Sequence, residues 1–373
     1  MKHGFVFPGD VMGGHEMMAA KILSALQHGG KRVLVLSTRA MYEKLAQFTG
    51  LNFEFVEVQF LTFRFESFLG YANPYYFKNK AQAKRYIAGL TSVTVVLGGV
   101  NSHHSTTLAI GTACAEMGID ARLYIPMFHS PKEMDVSVIK GFSNTRSAKR
   151  ALGAVSTVLT IDEYWAERVR TFANRHSLGL QVIHNYLSRS IPNLAEVKIQ
   201  NERKRFCVVG RMDKEQKGMD YVVNVLEVLS TMPELPPHTW VFIGDGPYLG
   251  EIKKFAKSCT HPNMAFEFCG WRKDSLTIMR TCDALVLTSR WEGIPTVVAE
   301  ALMLNLSVFA FDIAAIDLLL VKDELIPCFD SALFAEKLRL YLGSKSTLIN
   351  RQRPYLDMMC DESRFQQEVL SRY

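Results

Sequence analysis

The sequence predicts an α/β protein built from two parallel-sheet domains, and three observations carry that prediction. Short apolar, β-branched runs alternate with amphipathic helical stretches, and the alternation starts afresh near residue 206. A polar stretch containing Pro192 and the charged run Glu202-Arg203-Lys204-Arg205 separates the two series. The length of 373 residues suits two domains, each large enough to bury a core without staples.

The first series opens with a strand at 4–7, the turn Gly13-Gly14, a helix over 16–27 and a strand at 32–36. Further strands are expected at 53–60, 93–97, 122–125, 155–160 and 181–184, with helices at 106–117 and 162–173. The second series reads strand 206–210, helix 219–229, strand 240–244, a helix from 248, and strand 264–268. It continues with helix 273–281, strand 284–288, helix 296–304 and strand 307–311, and helices at 334–342 and 362–373 close the chain. The expected organisation is a first domain at 1–185, a linker at 186–204 and a second domain at 205–355. A C-terminal helix at 356–373 is expected to cross back to the first domain. Open parallel sheets bind ligands beyond the C-terminal ends of their strands, so a central cleft between facing domains is the expected site.

Composition narrows the class. With 48% apolar and 21% charged residues, the chain is neither disordered nor coiled-coil. Seven cysteines stand singly, which fits neither a disulfide framework nor a zinc site and points to a reducing compartment. The N-terminus lacks the pattern of a secretory signal, and no window reaches the length of a spanning helix. The run Lys322-Asp323-Glu324-Leu325 is internal and so is no terminal retention signal. A cytoplasmic protein, or one peripheral to the inner face of a membrane, is expected. Residues 131–211 hold 14 Lys or Arg against 7 Asp or Glu, while the remainder is nearly balanced. Such a segment suits a polyphosphate or an anionic membrane, and equally a solvated basic face. No zinc-finger spacing or zipper heptad supports nucleic acid as a partner.

Four stretches carry chemistry. Gly13 and Gly14 lie between the first strand and helix, where backbone can approach an anion at a helix N-terminus; a plain tight turn fits too. They lack the glycine spacing of the dinucleotide fingerprint, which argues against a dehydrogenase. Gly210-Arg211 and Lys217-Gly218 follow the first strand of the second series, so a guanidinium fork and an ammonium could share one diphosphate, or be exposed loop cations. Gly244-Asp245-Gly246-Pro247 follows a later strand and could be only a turn. In Glu292-Gly293-Ile294-Pro295-Thr296, continuing to Glu300, one carboxylate falls in a loop and the other one turn into a helix. Both can face one crevice and accept sugar hydroxyls, although an acid near a helix start is also ordinary dipole compensation. His129 sits beyond a strand end, and His15 and His104 lie near two others; none has a second ligand at metal spacing.

Together these residues resemble the retaining glycosyltransferases of family 4, the glycosyl transferases group 1, most specifically over 206–311. The resemblance implies the GT-B fold, with two Rossmann-like parallel-sheet domains facing a central cleft. It implies that Arg211 and Lys217 hold the donor diphosphate and that Glu292 meets the transferred sugar. Glu300 would hold the ribose, with Gly293, Ile294, Pro295 and Thr296 beside the sugar and phosphates. Trp271 and Arg272 would flank the base, and Gly210 and Gly244 would belong to the donor pocket. Gly13 and Gly14 would underlie the diphosphate, His129 would stand near the reacting centre, and His15 and His104 would face the acceptor. His129, Arg211, Lys217 and Glu292 form the catalytic set.

The implied reaction transfers a sugar from a nucleotide diphosphate sugar, UDP-linked by preference, to a hydroxyl of a glycan or lipid-linked acceptor. Polysaccharide, lipopolysaccharide or glycolipid synthesis is the expected setting, with no metal or other cofactor. Another GT-B enzyme of epimerase or phosphorylase type, or a noncatalytic nucleotide-sugar binder, fits the same residues. Two features depart from the family. Asp312-Ile313-Ala314-Ala315-Ile316-Asp317 stands where many relatives have paired glycines and a glutamate, and Leu306-Ser307-Val308 lacks the Gly-x-Pro character.

Overall fold

The computed structural model describes residues 1–10, 12–61, 75–98, 104–129, 138–188, 203–344 and 354–373. The described chain forms two compact units, Met1–Tyr186 with Asp361–Tyr373, and Leu187–Cys360. Most of the segment expected to link two domains lies outside the described residues.

The first unit holds a seven-stranded, wholly parallel sheet. Its strands are β1 (Lys2–Val6), β2 (Arg32–Ser37), β3 (Glu54–Glu57), β4 (Ser92–Val96), β5 (Asp120–Tyr124), β6 (Thr157–Thr160) and β7 (Gly179–Val182). They lie in the order β3-β2-β1-β4-β5-β6-β7. The central strands are buried along nearly their whole length, as near-continuous apolar runs in a sheet covered on both faces require. The crossovers are α1 (Gly14–His28), α2 (Arg39–Thr49), α3 (Tyr76–Ile87), α4 (His104–Met117), α5 (Val138–Gly153) and α6 (Glu163–Ala173). Three of these, α2, α3 and α5, are additional to the helices named from the sequence. The strand expected at 53–60 shortens to β3 because it is an edge, and only Glu54 to Glu57 find partners on β2.

The second unit repeats the plan with five parallel strands in the order β10-β9-β8-β11-β12. They are β8 (Lys204–Val209), β9 (His238–Ile243), β10 (Met264–Gly270), β11 (Ala284–Leu287) and β12 (Ser307–Ala310). Its helices are α7 (Met219–Ser230), α8 (Leu249–Ser258), α9 (Ser275–Met279), α10 (Thr296–Met303), α11 (Ser331–Gly343) and α12 (Pro354–Met359). Phe206, Trp240 and Phe242 are fully buried at its centre.

The closing helix expected over 356–373 is two helices. Asp361 accepts the Arg364 N–H and so caps a new helix, α13 (Glu362–Arg372), after α12 has ended. Within the first unit Tyr373 is bound by a hydroxyl contact with Thr94 (2.9 Å), stacking on Phe5 and the Arg122 guanidinium over its ring.

The backbone is left-handed without glycine at Asn305 (φ 56°) and, within the 312–317 departure, at Ala315 (φ 66°). Asparagine tolerates this conformation, whereas alanine pushes its Cβ toward the next carbonyl at roughly 1–2 kcal/mol. Ala315→Gly is therefore expected to stabilise the second unit by about 1 kcal/mol, read as a raised urea midpoint with unchanged slope. An unaltered or lowered midpoint would contradict the strain assigned to Ala315.

Candidate active site

In the second sheet the strand order reverses between β8 and β11, so the loops leaving those two strands open a crevice at their C-terminal ends. The first of these loops is built around Asp213. Its buried carboxylate accepts the N–H groups of Gln216 (2.8 Å) and Lys217 (3.2 Å) through Oδ1, and Arg211 Nε (2.5 Å) through Oδ2. Burial pushes its pKa upward, but these donors outweigh burial and hold Asp213 below the ordinary carboxylate value.

Lys217 extends to the second loop, where its Nζ donates to Glu292 Oε1 (2.6 Å), and Ser289 Oγ donates to the same oxygen (2.6 Å). Glu292 is only 5% exposed. The loops are also sewn together through the first loop's carbonyls: Arg290 N donates to Gln216 O (2.8 Å) and the Thr288 hydroxyl to Gly218 O (3.0 Å). Gly218 is left-handed at φ 61°, and a Cβ there would strike the Thr288 carbonyl. Gly244 has φ 141°, and a Cβ there would collide with the Gly210 carbonyl, so the turns after β8 and β9 pack backbone to backbone.

After Glu292 and Gly293 the chain buries Ile294, and Pro295 N-caps α10 at Thr296. The first N–H groups of this helix have no intrahelical acceptor, and no acid lies in its first turn, so they suit an anion. Glu300 lies one turn further in, half-buried. Trp271, beyond β10, is 69% exposed, and Arg272 forks onto Asp274 at 2.8 Å through both nitrogens.

In the first unit Gly13 N-caps α1, and its N–H donates to Glu16 Oε2 (2.8 Å). The other Glu16 oxygen meets His15 Nε2 at 2.6 Å, and the His15 ring packs on Gly98 after β4. Gly14 begins α1. His129 is buried edge-on to Trp165, centroids 4.8 Å apart. His104 begins α4, and its side chain lies outside the described residues.

The structure thus joins Lys217 to Glu292 and Gly210 to Gly244, while Arg211 is turned to Asp213 and Arg272 to Asp274. Asp213, Ser289 and Glu16 escape sequence reasoning, because Asp and Ser in loops read as turn residues and Glu16 as ordinary first-turn acid. Among the described residues one group has donor atoms close enough for a metal: Asp162, Glu163 and His184, within 4.8 Å of one another. Asp162 already caps α6, and His184 Nδ1 lies 3.1 Å from Glu368 and 2.7 Å from the Arg364 guanidinium. A cation beside the ring makes this an ion-pair network and a poor fit for a metal. No helix among the described residues is long and apolar enough to cross a membrane.

The fold is GT-B. The chain superposes on Anabaena HepE, solved with UDP, at a TM-score of 0.73 and 18% identity, covering 100% of this chain and 99% of that one. Residues 203–343, which hold the loops described above, match the family described as "Glycosyl transferases group 1", and through them the chain is related to those proteins. An Escherichia coli UDP-Gal:alpha-D-GlcNAc-diphosphoundecaprenol alpha-1,3-galactosyltransferase is 29% identical over 26% of this chain and 24% of its own length. The putative teichuronic acid biosynthesis glycosyltransferase TuaC of Bacillus subtilis is 28% identical over 60% of this chain and 55% of its own. The chain spans 24% and 55% of the length of these two curated relatives.

Asp213 gives the second unit a readable acid limb. With its folded pKa below the unfolded value of about 3.9, its contribution is complete above that pH and is lost as pH falls through the folded value. Thermal unfolding scanned from about pH 5 to 2 should show a shallower acid limb in Asp213→Asn than in the wild type. Parallel limbs would show that Asp213 does not couple protons to folding.

Proposed function

We propose that this chain is a retaining glycosyltransferase that moves a sugar from a UDP-sugar to a hydroxyl of a glycan or lipid-linked acceptor. The observation that carries this reading is the Lys217–Glu292 pair at the switch point of the second sheet, beside the N-terminus of α10. The relatives agree with it: one takes UDP-Gal and a diphosphoundecaprenol-linked acceptor, and HepE was solved with UDP-glucose. Synthesis of a cell-surface polysaccharide or glycolipid is the setting we favour. The basic stretch over 131–211 supports an encounter with an anionic membrane face.

The chemistry follows from charge. As the bond from sugar to phosphate breaks, negative charge gathers on the diphosphate, and preformed donors aimed at it stabilise the transition state. Lys217, Arg211 and the first N–H groups of α10 are those donors. Glu292 accepts hydroxyls of the sugar and orients it, while the acceptor's proton passes to the departing phosphate oxygen. Glu300 takes the ribose hydroxyls, and Trp271 flanks the base. On the first unit, His129, His15 and the Gly13-Gly14 turn are the residues we propose for acceptor binding.

Three variants separate these roles. Lys217→Ala should weaken UDP about 10–100-fold in calorimetric titration, the size of a lost hydrogen bond between charged groups, and Arg211→Ala less, its side chain being more exposed. UDP affinity unchanged in both folded variants would sink the diphosphate assignment. Glu292→Gln removes a buried negative charge that competes with phosphate for Lys217. It should bind UDP several-fold more tightly yet transfer sugar at least about 100-fold more slowly. Weaker UDP binding with full transfer would reverse the role given to Glu292.

A further inference from the structure

We infer that Arg290 is a positioning residue, and that its fork onto Asp220 sets where Lys217 stands; this rests on the reading of Lys217 as a diphosphate ligand. Arg290 belongs to the loop of Glu292, and Asp220 is the second residue of α7, immediately after the loop of Lys217. The two are joined bidentately, Nη1 to Oδ1 at 2.8 Å and Nη2 to Oδ2 at 2.6 Å. The same guanidinium donates to the Lys214 carbonyl and lies 4.4 Å over the Tyr221 ring, which is stacked on Phe329. Its own backbone N–H holds the Gln216 carbonyl. One side chain and its amide therefore grip Lys214, Gln216 and Asp220, the residues on both sides of Lys217.

The pair is mostly withdrawn from solvent, at 20% and 18% side-chain exposure, so screening does not dissolve it as it would a surface bridge. Burial works to raise the Asp220 pKa, but the Arg290 hydrogen bonds and charge prevail and hold it below the ordinary value. The planar fork also matters geometrically. Two parallel N–H···O bonds fix direction as well as distance, which a lysine ammonium cannot do. Asp213 anchors the inner face of the loop through Gln216 N and Lys217 N, and Thr288 holds its exit. Arg290 ties its tip, at Lys214, to the opposite loop. Without the fork, Lys217 can still exist in the folded chain but is no longer held at the spacing that a diphosphate bridging the two loops requires.

The test compares UDP with uridine, because the nucleoside lacks the diphosphate and does not call on Lys217. Both ligands are titrated into the full chain carrying Arg290→Lys, Asp220→Asn or both, with folding checked by circular dichroism. The expected result is a loss of about tenfold in UDP affinity for each single variant, with uridine affinity unchanged. The double variant should be no weaker than the singles by more than about twofold, since both remove one interaction. An unaltered UDP-to-uridine preference in either folded variant overturns the inference, as does an equal loss for both ligands. If Arg290→Lys fails to fold, Asp220→Asn alone decides. A wild type that binds UDP no better than uridine would remove the diphosphate reading itself and this inference with it. A wild type that prefers UDP, with variants that prefer it equally, would remove this inference alone.

Discussion

A lysine from one loop neutralises a buried carboxylate from another, 75 residues further along the chain, and the second unit's crevice takes its form from that constraint. A carboxylate withdrawn from water needs a partner, and leaving either member of a buried pair alone costs roughly 3–5 kcal/mol. Lys217 and Glu292 can meet only if the loops after β8 and β11 stand at a fixed separation. The surrounding devices hold that separation: Asp213 gathers its own loop, Thr288 and Arg290 take its carbonyls, and the left-handed Gly218 lets it pass close beside Thr288. The resting pair also suits an exchange of partners. In the reaction we propose, an incoming phosphate shares the ammonium while Glu292 keeps Ser289 and gains sugar hydroxyls, so no charge is left buried and unpaired along the way.

What the sequence disclosed of this arrangement was uneven, for physical reasons. Glycine, proline and glutamate at 292–300 were legible because a strand must precede them and a helix must follow, which leaves them at a strand's C-terminal end. The fold was legible for a related reason: buried parallel strands are almost unbroken apolar runs, and β4, β9 and β11 show this plainly. Arg290 acts through Asp220, distant in sequence, whereas Asp213 and Ser289 bond within their own loops, where their spacing matches that of ordinary turn residues. The helix expected over 273–281 contracts to Ser275–Met279, with its start displaced by the Arg272–Asp274 fork. The helix expected at 362–373 starts where Asp361 caps it, while the short helix before it, within the 356–373 segment, has no sequence signal of its own.

The stretch around Ala315 adopts a left-handed backbone without a glycine. A glycine there would adopt that backbone without strain. This chain puts a buried alanine in that conformation and holds it by neighbouring bonds: Asp312 N donates to Ile326 O at 2.7 Å, Ile313 N to Phe311 O, and Ile316 N to Ile313 O. Packing therefore overrides intrinsic preference, and the departure is one of strain and of added side-chain volume. The same substitution changes what the turn can offer a ligand, because a Cβ keeps other atoms from approaching the backbone as closely as they approach glycine. The diphosphate site we propose, at Lys217, Arg211 and the start of α10, lies elsewhere and is insulated from the change. Recognition of anything that lies against the 312–317 backbone is not insulated, and that is where this chain should diverge from relatives that keep the glycines.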